Sequence, residues 1–457
     1  MKAYFEILKL VWPLALGMVN NALMQFIDRA FLARESMESL EAVLPASMLS
    51  FIIVGFFQAV VAFSGTFVAT YHGAKKPFMC IRSYRAGTLL AFAFGILALA
   101  FIPLGGFVFD AISDGEALIA REKAYYSIST AAGIFLFGQM AAQAYFTGRG
   151  KTRAVFTVNI IGNLVNIALD PVLIFGWLGI PALGISGAAL ATAFALCAQW
   201  LILAILVERD IRREKAAGLV RPEHKDAGFG KLVWRVVRFG VPSGAYSTLN
   251  LVSFTIFVFF TGEVGHLEAA ASNACFTVNY LLFAPIEGFA LGAATLVGHA
   301  KGAGDNAAAE LAGWRTAVLA TVLIAVALFF TLVFHRPILA LFAPDDPAAA
   351  ADFVSLGFTL LLLMAAWQIF EVFDTVISGA LKGAGDTTFV LWWMLVGAFV
   401  LWLPLVVMVS IWRNTMPMLW ATIVFEVAAL SAGTLLRWKR GKWKAISLVV
   451  SKSKRKF

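Results

Sequence analysis

The chain of 457 residues is too apolar for a soluble protein of that length, since 61% of its residues are hydrophobic and only 14% are charged. Its mean hydropathy is +0.84, and soluble globular chains carry about 25% charged residues. The three cysteines are scattered and lack metal-ligand spacing, which excludes a disulfide framework and a cysteine zinc site.

The predicted elements are long apolar runs, most of about 20 residues or more, without the alternation of a membrane β-strand. Backbone groups find no water inside a bilayer, so such runs must form helices. The runs lie near 9–33, 40–71, 86–110, 124–147, 154–176, 182–207, 234–262, 269–298, 313–342, 352–379, 388–411 and 416–437. We therefore predict an all-α integral membrane protein with twelve transmembrane helices.

The basic residues predict the orientation of these spans. With twelve spans, 30 of the 36 Lys and Arg lie on the side that holds both termini. The positive-inside rule places that side in the cytoplasm, so we expect a multi-pass protein of the inner or plasma membrane. The net charge of +9 then reflects topology and contact with anionic membrane lipid, and not nucleic-acid binding.

The chain also repeats itself at a nearly constant offset. Glu41 and His72 recur 227 residues later as Glu268 and His299, and the turn at 148–154 resembles the turn at 382–388. This predicts two pseudo-symmetric lobes of six helices each, as parallel repeats around a central site. We expect an N-terminal lobe over 1–207, a cytoplasmic linker over 208–233, a C-terminal lobe over 234–440 and a basic cytoplasmic tail over 441–457.

The fifth span carries a stripe of polar residues, which are expensive in a membrane and usually mark a site. Asn159, Asn163, Asn166 and Asp170 are spaced by 4, 3 and 4 residues, so they share one helix face. Pro171 follows and leaves the carbonyl of Ile167 without its helical partner. Carboxylate, amide and carbonyl oxygens together are ligands that suit a small cation. The structural alternative is a stripe of amides that hydrogen-bond to neighbouring helices.

The first span carries a second stripe, formed by Asn21, Gln25 and Asp28. Counting the helical rise from the basic ends of both spans places Asp28 and Asp170 within roughly 3 Å of the same depth. Two carboxylates at one depth could share a proton or hold a cation. An ion pair between Asp28 and Arg29 is the structural alternative.

The second half of the chain carries intramembrane acids as well. Glu371 and Asp374 lie in the tenth span, and Glu287 follows Pro285 in the eighth. Acids that face a cavity attract organic cations. We expect them to line the substrate cavity, and each has helix packing as its alternative. Asn250 in the seventh span, with Asn21 and Gln25, completes the predicted cavity set.

No phosphate-binding loop, HExxH pair or paired CxxC motif occurs. Energy for transport must then come from an ion gradient or from the gradient of the substrate. We expect no enzyme activity and no cofactor, a small-molecule substrate, and a monomer.

Five segments resemble the multidrug and toxic compound extrusion (MATE) family over nearly the whole chain. They are FIDRAFLA at the end of the first span, GRGKTRAVFTVNIIGNLVNIALDPVLIFG (148–176), PALGISGAALAT (181–192), LVGHAKGAGD (296–305) and SGALKGAGDTT (378–388). The resemblance implies two six-helix lobes and antiport of amphipathic, often cationic compounds against Na+ or H+.

The resemblance also implies an ion site between the first and fifth helices, matched here by Asp28, Asn166 and Asp170. These three residues would be the metal ligands if the coupling ion is Na+. Ala188 stands where the family often has a hydroxyl ligand, and Thr192 lies one turn away. A second acidic site, which some members have, is matched by Glu371, but the neutral Asn250 replaces its partner.

Two other functions fit a membrane protein of this kind. A lipid or oligosaccharide flippase of the same superfamily would favour a cationic cavity, whereas the intramembrane charges here are mostly acidic. A membrane-embedded transferase would need acids or histidines at the interface beside basic loops, whereas the acids here lie deep in the spans.

Overall fold

The computed structural model describes residues 2–113, 115–220, 228–344 and 346–449, and nearly all of these residues are helical. Twelve spans follow one another in the described part of the chain. They run over Lys2–Glu35, Met37–Gly73, Pro77–Leu99 with Ile102–Ile112, Glu116–Gly148, Thr152–Phe175, Gly184–Ala216, Phe229–Gly262, His266–Gly302, Asn306–Val333, Pro347–Gly383, Thr387–Trp412 and Met416–Arg440.

Ten of these helices are long and apolar enough to cross a bilayer, and the third span, bent by 42°, makes an eleventh. The one remaining span is the fourth, Glu116–Gly148, which has 33 residues and carries all its charges in its first turns. The uncharged remainder is long enough to cross by itself. The all-α fold with twelve spans is therefore confirmed.

Several helices continue beyond the apolar runs that predicted them. The sixth span extends to Ala216, and the seventh begins at Phe229, so both enter the predicted linker. Residues 221–227 of that linker lie outside the described residues. Of the predicted basic tail, residues 441–449 are described: Trp443 is buried against Trp438, with ring centroids 4.2 Å apart. The remainder of the tail, from residue 450, lies outside the described residues.

The contacts divide the chain into two compact units. The first comprises 1–15, 249–297 and 306–446, and the second comprises 16–248, 298–305 and 447–457. The first, seventh and eighth spans are each shared between the units, because the divisions fall at residues 16, 249 and 298. The predicted lobe boundaries in the linker stay a prediction.

The second unit is built around a large apolar core. Phe57 lies at its centre and packs on Phe94 and Phe137, at centroid distances of 4.8 and 6.1 Å. In the same unit the ends of the second and eighth spans meet, where the rings of His72 and His299 lie 5.0 Å apart. The repeat-related histidines are thus neighbours in space.

The first unit has an aromatic core of its own. Trp367 and Trp420 are buried with ring centroids 5.0 Å apart, and Phe276 lies 4.7 Å from Trp420. Two of the buried indole groups in this unit donate hydrogen bonds, as buried indole groups usually do. Trp420 donates to Ser272 at 3.0 Å, and Trp402 donates to Thr422 at 3.1 Å.

Candidate functional site

A pair of carboxyl groups forms the centre of the candidate site, in the second unit. Asp28 of the first span and Asp170 of the fifth lie within hydrogen-bonding reach of each other. Asp170 is fully buried, and neither of its oxygens has a hydrogen-bond donor among the described residues. Oδ1 of Asp28 is likewise buried without a donor. The structure brings together the two acids that helical spacing placed at one depth.

Such a pair is unstable as two bare carboxylates, because a buried charge needs a partner and like charges repel each other. A proton shared between the two groups removes one charge, and a small cation held between them balances both. Arg29, the alternative partner of Asp28, is an exposed residue that attracts the Asp28 carboxylate electrostatically but leaves its Oδ1 without a donor. The donor set therefore fits a proton or a small cation.

An amide oxygen lies one turn before the second acid. Asn166 is fully buried, and its Oδ1 has no hydrogen-bond donor among the described residues. Its Nδ2 donates to Oγ1 of Thr192 at 3.5 Å, so the hydroxyl of the sixth span contacts the site residue. Ala188, in the position that the resemblance gives to a hydroxyl ligand, is buried. Thr192 thus offers the hydroxyl that Ala188 lacks.

The described residues hold no group of three or more His, Cys, Asp or Glu side chains arranged to bind a metal ion. A site for Na+ here would rest on two carboxylates and the oxygen of Asn166. Hard cations such as Ca²⁺ and Mg²⁺ take oxygen ligands of these kinds, and we expect the same of Na+.

A buried network of amides holds the stripe of the fifth span in place. Gln139 donates to Gln199 at 2.7 Å and to Asn159 at 3.3 Å. Gln199 donates to Oδ1 of Asn163 at 3.5 Å, and Asn163 donates to the carbonyl of Asn20 at 3.2 Å. Four spans are joined in this way. Because both ends of the Asn163 amide have protein partners, this residue orients the helix, and its role as an ion ligand stays a prediction.

A glycine makes room for this network. A Cβ atom on Gly162 would lie 2.0 Å from Nε2 of Gln199. Real Cβ atoms never approach a neighbouring atom so closely, so the absence of a side chain allows Gln199 to reach Asn159 and Asn163. Gln199 itself escaped the sequence analysis, although a buried amide in an apolar span carries the same signal as the stripe.

Tyr125 of the fourth span is a second residue that sequence reasoning missed. Its side chain is close enough to Asp28 and Asp170 to interact with both electrostatically. Tyrosine is common in membrane helices, so its presence in a span gave no signal. Its hydroxyl offers the carboxyl pair a polar neighbour from a third helix.

The acids of the second half gather in the first unit. Glu371 interacts electrostatically with Asp374, Glu287 and Glu426. Lys382 lies near Glu287 and Asp374 and supplies positive charge within the same cluster. Glu426 is a further residue that the sequence analysis did not select, because it stands alone in the twelfth span.

The members of this cluster differ in their surroundings. Asp374 is buried and accepts a hydrogen bond from Thr434 at 3.0 Å, so its carboxylate is already held by the protein. Glu287 is exposed although it lies midway along its span, and Asn250 of the seventh span is also exposed. Exposure within a span means contact with lipid or with a cavity, and a carboxylate strongly favours the cavity.

The remaining predicted cavity residues lie in the second unit. Gln25 is exposed and Asn21 is half-buried. Both lie on the part of the first span that belongs to the second unit, together with Asp28. Asn250, Glu287, Glu371 and Asp374 belong to the first unit. The described structure thus brings together the predicted ion residues in one unit and the predicted acidic cavity residues in the other.

Comparisons with known proteins agree on one family. The MatE family model matches residues 13–172 and 242–408, well over half of the chain. The probable multidrug resistance protein NorM of Pseudomonas syringae pv. tomato (strain ATCC BAA-871 / DC3000) is 28% identical over 406 residues, which are 85% of each chain.

Solved structures show the same fold. A MATE transporter in complex with MaL6 superimposes with a TM-score of 0.81 at 18% identity, covering 96% of both chains. An outward-facing multidrug resistance MATE transporter gives 0.80 at 19% identity over 95% of both chains. A MOP superfamily transporter from Pyrococcus furiosus, described as having reversed pocket polarity, gives 0.79 at 20% identity over 96% of this chain and 95% of its own.

Proposed function

Because this chain belongs to the MatE family, whose members are membrane transporters and not enzymes, we propose that it exports amphipathic cations by antiport against H+ or Na+. The carboxyl pair of Asp28 and Asp170 carries the proposal, since three of its four oxygens are buried without donors and need an ion from solution. A binding site of this kind couples naturally to an ion gradient.

We propose that the coupling ion acts by stabilising one conformation more than the other. Any such ion shifts the transporter only by its difference in affinity between the two states. The two carboxyl groups lie within hydrogen-bonding distance of each other, which supports a shared proton, because a proton can bridge them without any movement of the side chains. The acceptor oxygen of Asn166 supports Na+, which needs more than two ligands. Neither observation excludes the other ion.

The acidic cluster of the first unit supports a cationic substrate. Glu287, Glu371 and Glu426 offer carboxylates inside the membrane spans, and Trp367 lies beside Glu371. Organic cations favour such carboxylates and aromatic faces. The relative NorM is described as a probable multidrug resistance protein, which supports export of foreign compounds. The Pyrococcus furiosus transporter shares the fold but is described with reversed pocket polarity, so the fold alone does not decide the substrate. The acidic residues proposed to line the cavity are what argue against a flippase here.

The proposed setting is the inner or plasma membrane, with both termini in the cytoplasm. The basic residues on the terminal side support this orientation. We propose that the protein acts as a monomer, because one chain supplies every residue of the ion site and of the acidic cluster.

Efflux of a fluorescent organic cation from reconstituted vesicles tests the proposal, with Na+ and pH gradients imposed separately. We expect one gradient to accelerate efflux in the native protein, and Asp28→Asn and Asp170→Asn to abolish the acceleration. Asp110→Asn is the matched control, because Asp110 is an exposed acid paired with Lys123 at 2.6 Å. Full coupled efflux in either site variant would overturn the role of the carboxyl pair.

A further inference from the structure

The loop between the fifth and sixth spans, residues 176–183, exposes an unbroken apolar surface. All the residues from 177 to 183 are exposed, and Trp177 and Leu178 are uncovered over 60% and 88% of their surface. None of these residues is charged, and the indole N–H of Trp177 is their only polar side-chain group. Surfaces in contact with water rarely show such a run, so the 176–183 loop requires an apolar environment.

The backbone of the 176–183 loop is folded back on the end of the fifth span. The N–H of Leu183 donates to the carbonyl of Leu173 at 2.9 Å. Gly176 has a left-handed φ of +78°, and a Cβ atom there would lie 2.7 Å from the carbonyl oxygen of Ile180. Leu178 also adopts a left-handed φ of +61°, which is unfavourable for a leucine. The exposed side chains therefore belong to a defined turn and not to a frayed helix end.

The lengths of the two flanking helices place the 176–183 loop at the boundary of the bilayer. The helical rise gives roughly 33 Å from Arg153 to Phe175, where the fifth span ends. It gives roughly 36 Å from Glu208 back to Gly184, where the sixth span begins. The hydrocarbon core of a bilayer is about 30 Å thick, so both helices reach the opposite headgroup region. Tryptophan is enriched at that depth.

The 176–183 loop differs in charge from the other loops on its side of the membrane. The five others, near 34–41, 110–123, 262–268, 335–352 and 411–415, each carry at least one acidic or basic residue. The chain from 171 to 207, by contrast, contains no Asp, Glu, Lys, Arg or His. The loop thus continues the uncharged surface of its two spans, on which Leu164 and Phe194 are also exposed.

We propose that the 176–183 loop inserts into the membrane interface and anchors the ends of the fifth and sixth spans in lipid. Leu178 and Ile180 contact the upper acyl carbons, and the N–H of Trp177 meets oxygens of the phospholipid headgroups. A protein partner would favour a polar rim around an apolar centre, and the residues from 177 to 183 supply no such rim. Because the loop is uncharged, it binds zwitterionic and anionic phospholipids alike. This role is independent of the transport reaction.

Depth-dependent quenching in the full chain tests the proposal. Leu178→Cys is labelled with a small fluorophore in a Cys197→Ser background, because Cys80 and Cys275 are buried. The protein is reconstituted in phosphatidylcholine vesicles that carry nitroxide groups either on the headgroup or at defined acyl carbons. We expect the strongest quenching from nitroxides on the upper acyl chain, at a depth of about 5–10 Å below the headgroup boundary. Aqueous iodide should quench this label several-fold less than a label in water.

Glu263→Cys is the matched control, because Glu263 is an exposed residue of the loop between the seventh and eighth spans on the same side. Its label should be quenched by aqueous iodide and not by acyl nitroxides. A second comparison removes the apolar side chains. A label at Ile180→Cys should be quenched by acyl nitroxides in the native loop and should lose most of that quenching when Trp177→Gln and Leu178→Gln are added.

Three results would overturn the proposal. The first is an equal quenching pattern for the labels at positions 178 and 263. The second is protection of the label at 178 from both nitroxides and iodide, which would identify a protein partner or a second copy of the chain. The third is acyl quenching that appears only when phosphatidylglycerol is added to the vesicles, which would identify recognition of charge.

Discussion

Arg437 donates two hydrogen bonds to Asp386, from Nε to Oδ2 at 2.7 Å and from Nη2 to Oδ1 at 3.1 Å. The other half of the chain holds a counterpart with the charges exchanged, in which Lys151 donates to Asp210 at 2.5 Å. The offsets between corresponding residues are 235 and 227, close to the offsets of 234 and 227 that relate the two halves of the sequence. In each half, the turn after the fourth helix is thus tied to the end of the sixth.

The first pair should contribute to stability, because Asp386 is buried and only 21% of the Arg437 side chain is exposed. We predict that Asp386→Ala or Arg437→Ala lowers stability by about 3 kcal/mol, since each leaves a largely buried charge without its partner. Asp386→Lys combined with Arg437→Asp copies the polarity of the other half and should recover part of the loss. Melting temperature in detergent is the measurement, and a double variant no better than the worse single variant would contradict the prediction.

In the first repeat, the turn after the fourth span contains a buried cation that lies outside the spans. Burial acts to lower the pKa of Arg149, but its hydrogen bond to Glu214 and the nearby Tyr145 and Asp210 raise that pKa overall. Arg149 therefore stays cationic at every physiological pH. The link at this turn is not a pH switch.

Close packing between the ends of the second and eighth spans gives a second prediction. A Cβ atom on Gly302 would lie 1.9 Å from the carbonyl oxygen of Thr70. Gly302→Ala must push two backbones apart, and we expect it to lower stability by about 2 kcal/mol or more. Gly262→Ala is the control, because no atom lies within 4 Å of its Cβ position. Equal melting temperatures for the two variants would show that the contact is not needed.

Part of this structure could be predicted from the sequence because the membrane makes polar residues conspicuous. Asp28 and Asp170 stand out in apolar runs, and helical spacing alone placed them at one depth. Tyr125 and Thr434 could not be found in that way, since their side chains are ordinary in a span and gain meaning only from the acids beside them. The link between Asp386 and the twelfth span could not be predicted from the sequence either. Its acidic and basic residues exchange places between the two halves, so a search for identical residues in the repeats does not detect it.

The amide network beside the carboxyl pair gives a third prediction. Gly162→Ala places a methyl group 2.0 Å from Nε2 of Gln199 and should displace that side chain from Asn159 and Asn163. We expect lower stability and weaker ion coupling. Gln199→Ala removes the clash, so the double variant should be more stable than the sum of the two single effects predicts. Strictly additive melting shifts in a double-mutant cycle would mean that Gly162 and Gln199 do not interact.

The carboxyl pair gives the last prediction, which separates stability from function. If the pair is the proposed ion site, we expect a proton or cation between Asp28 and Asp170, because both oxygens of Asp170 are buried without donors. Raising the pH in a buffer free of Na+ removes the proton and brings two negative charges together, so native stability should fall as the pH rises.

Asp170→Asn keeps the shape of the side chain but cannot become charged. This variant should therefore lose coupled efflux and yet melt at a higher temperature than the native protein at alkaline pH, since sites that bind ions are often less stable than they could be. Melting curves at neutral and alkaline pH, with and without Na+, measure the effect. If Na+ restores native stability at alkaline pH, the pair also accepts a metal ion, and if it does not, the pair is specific for protons. A native protein whose melting temperature is independent of pH and Na+ would show that the two carboxyl groups are not a coupled ion site.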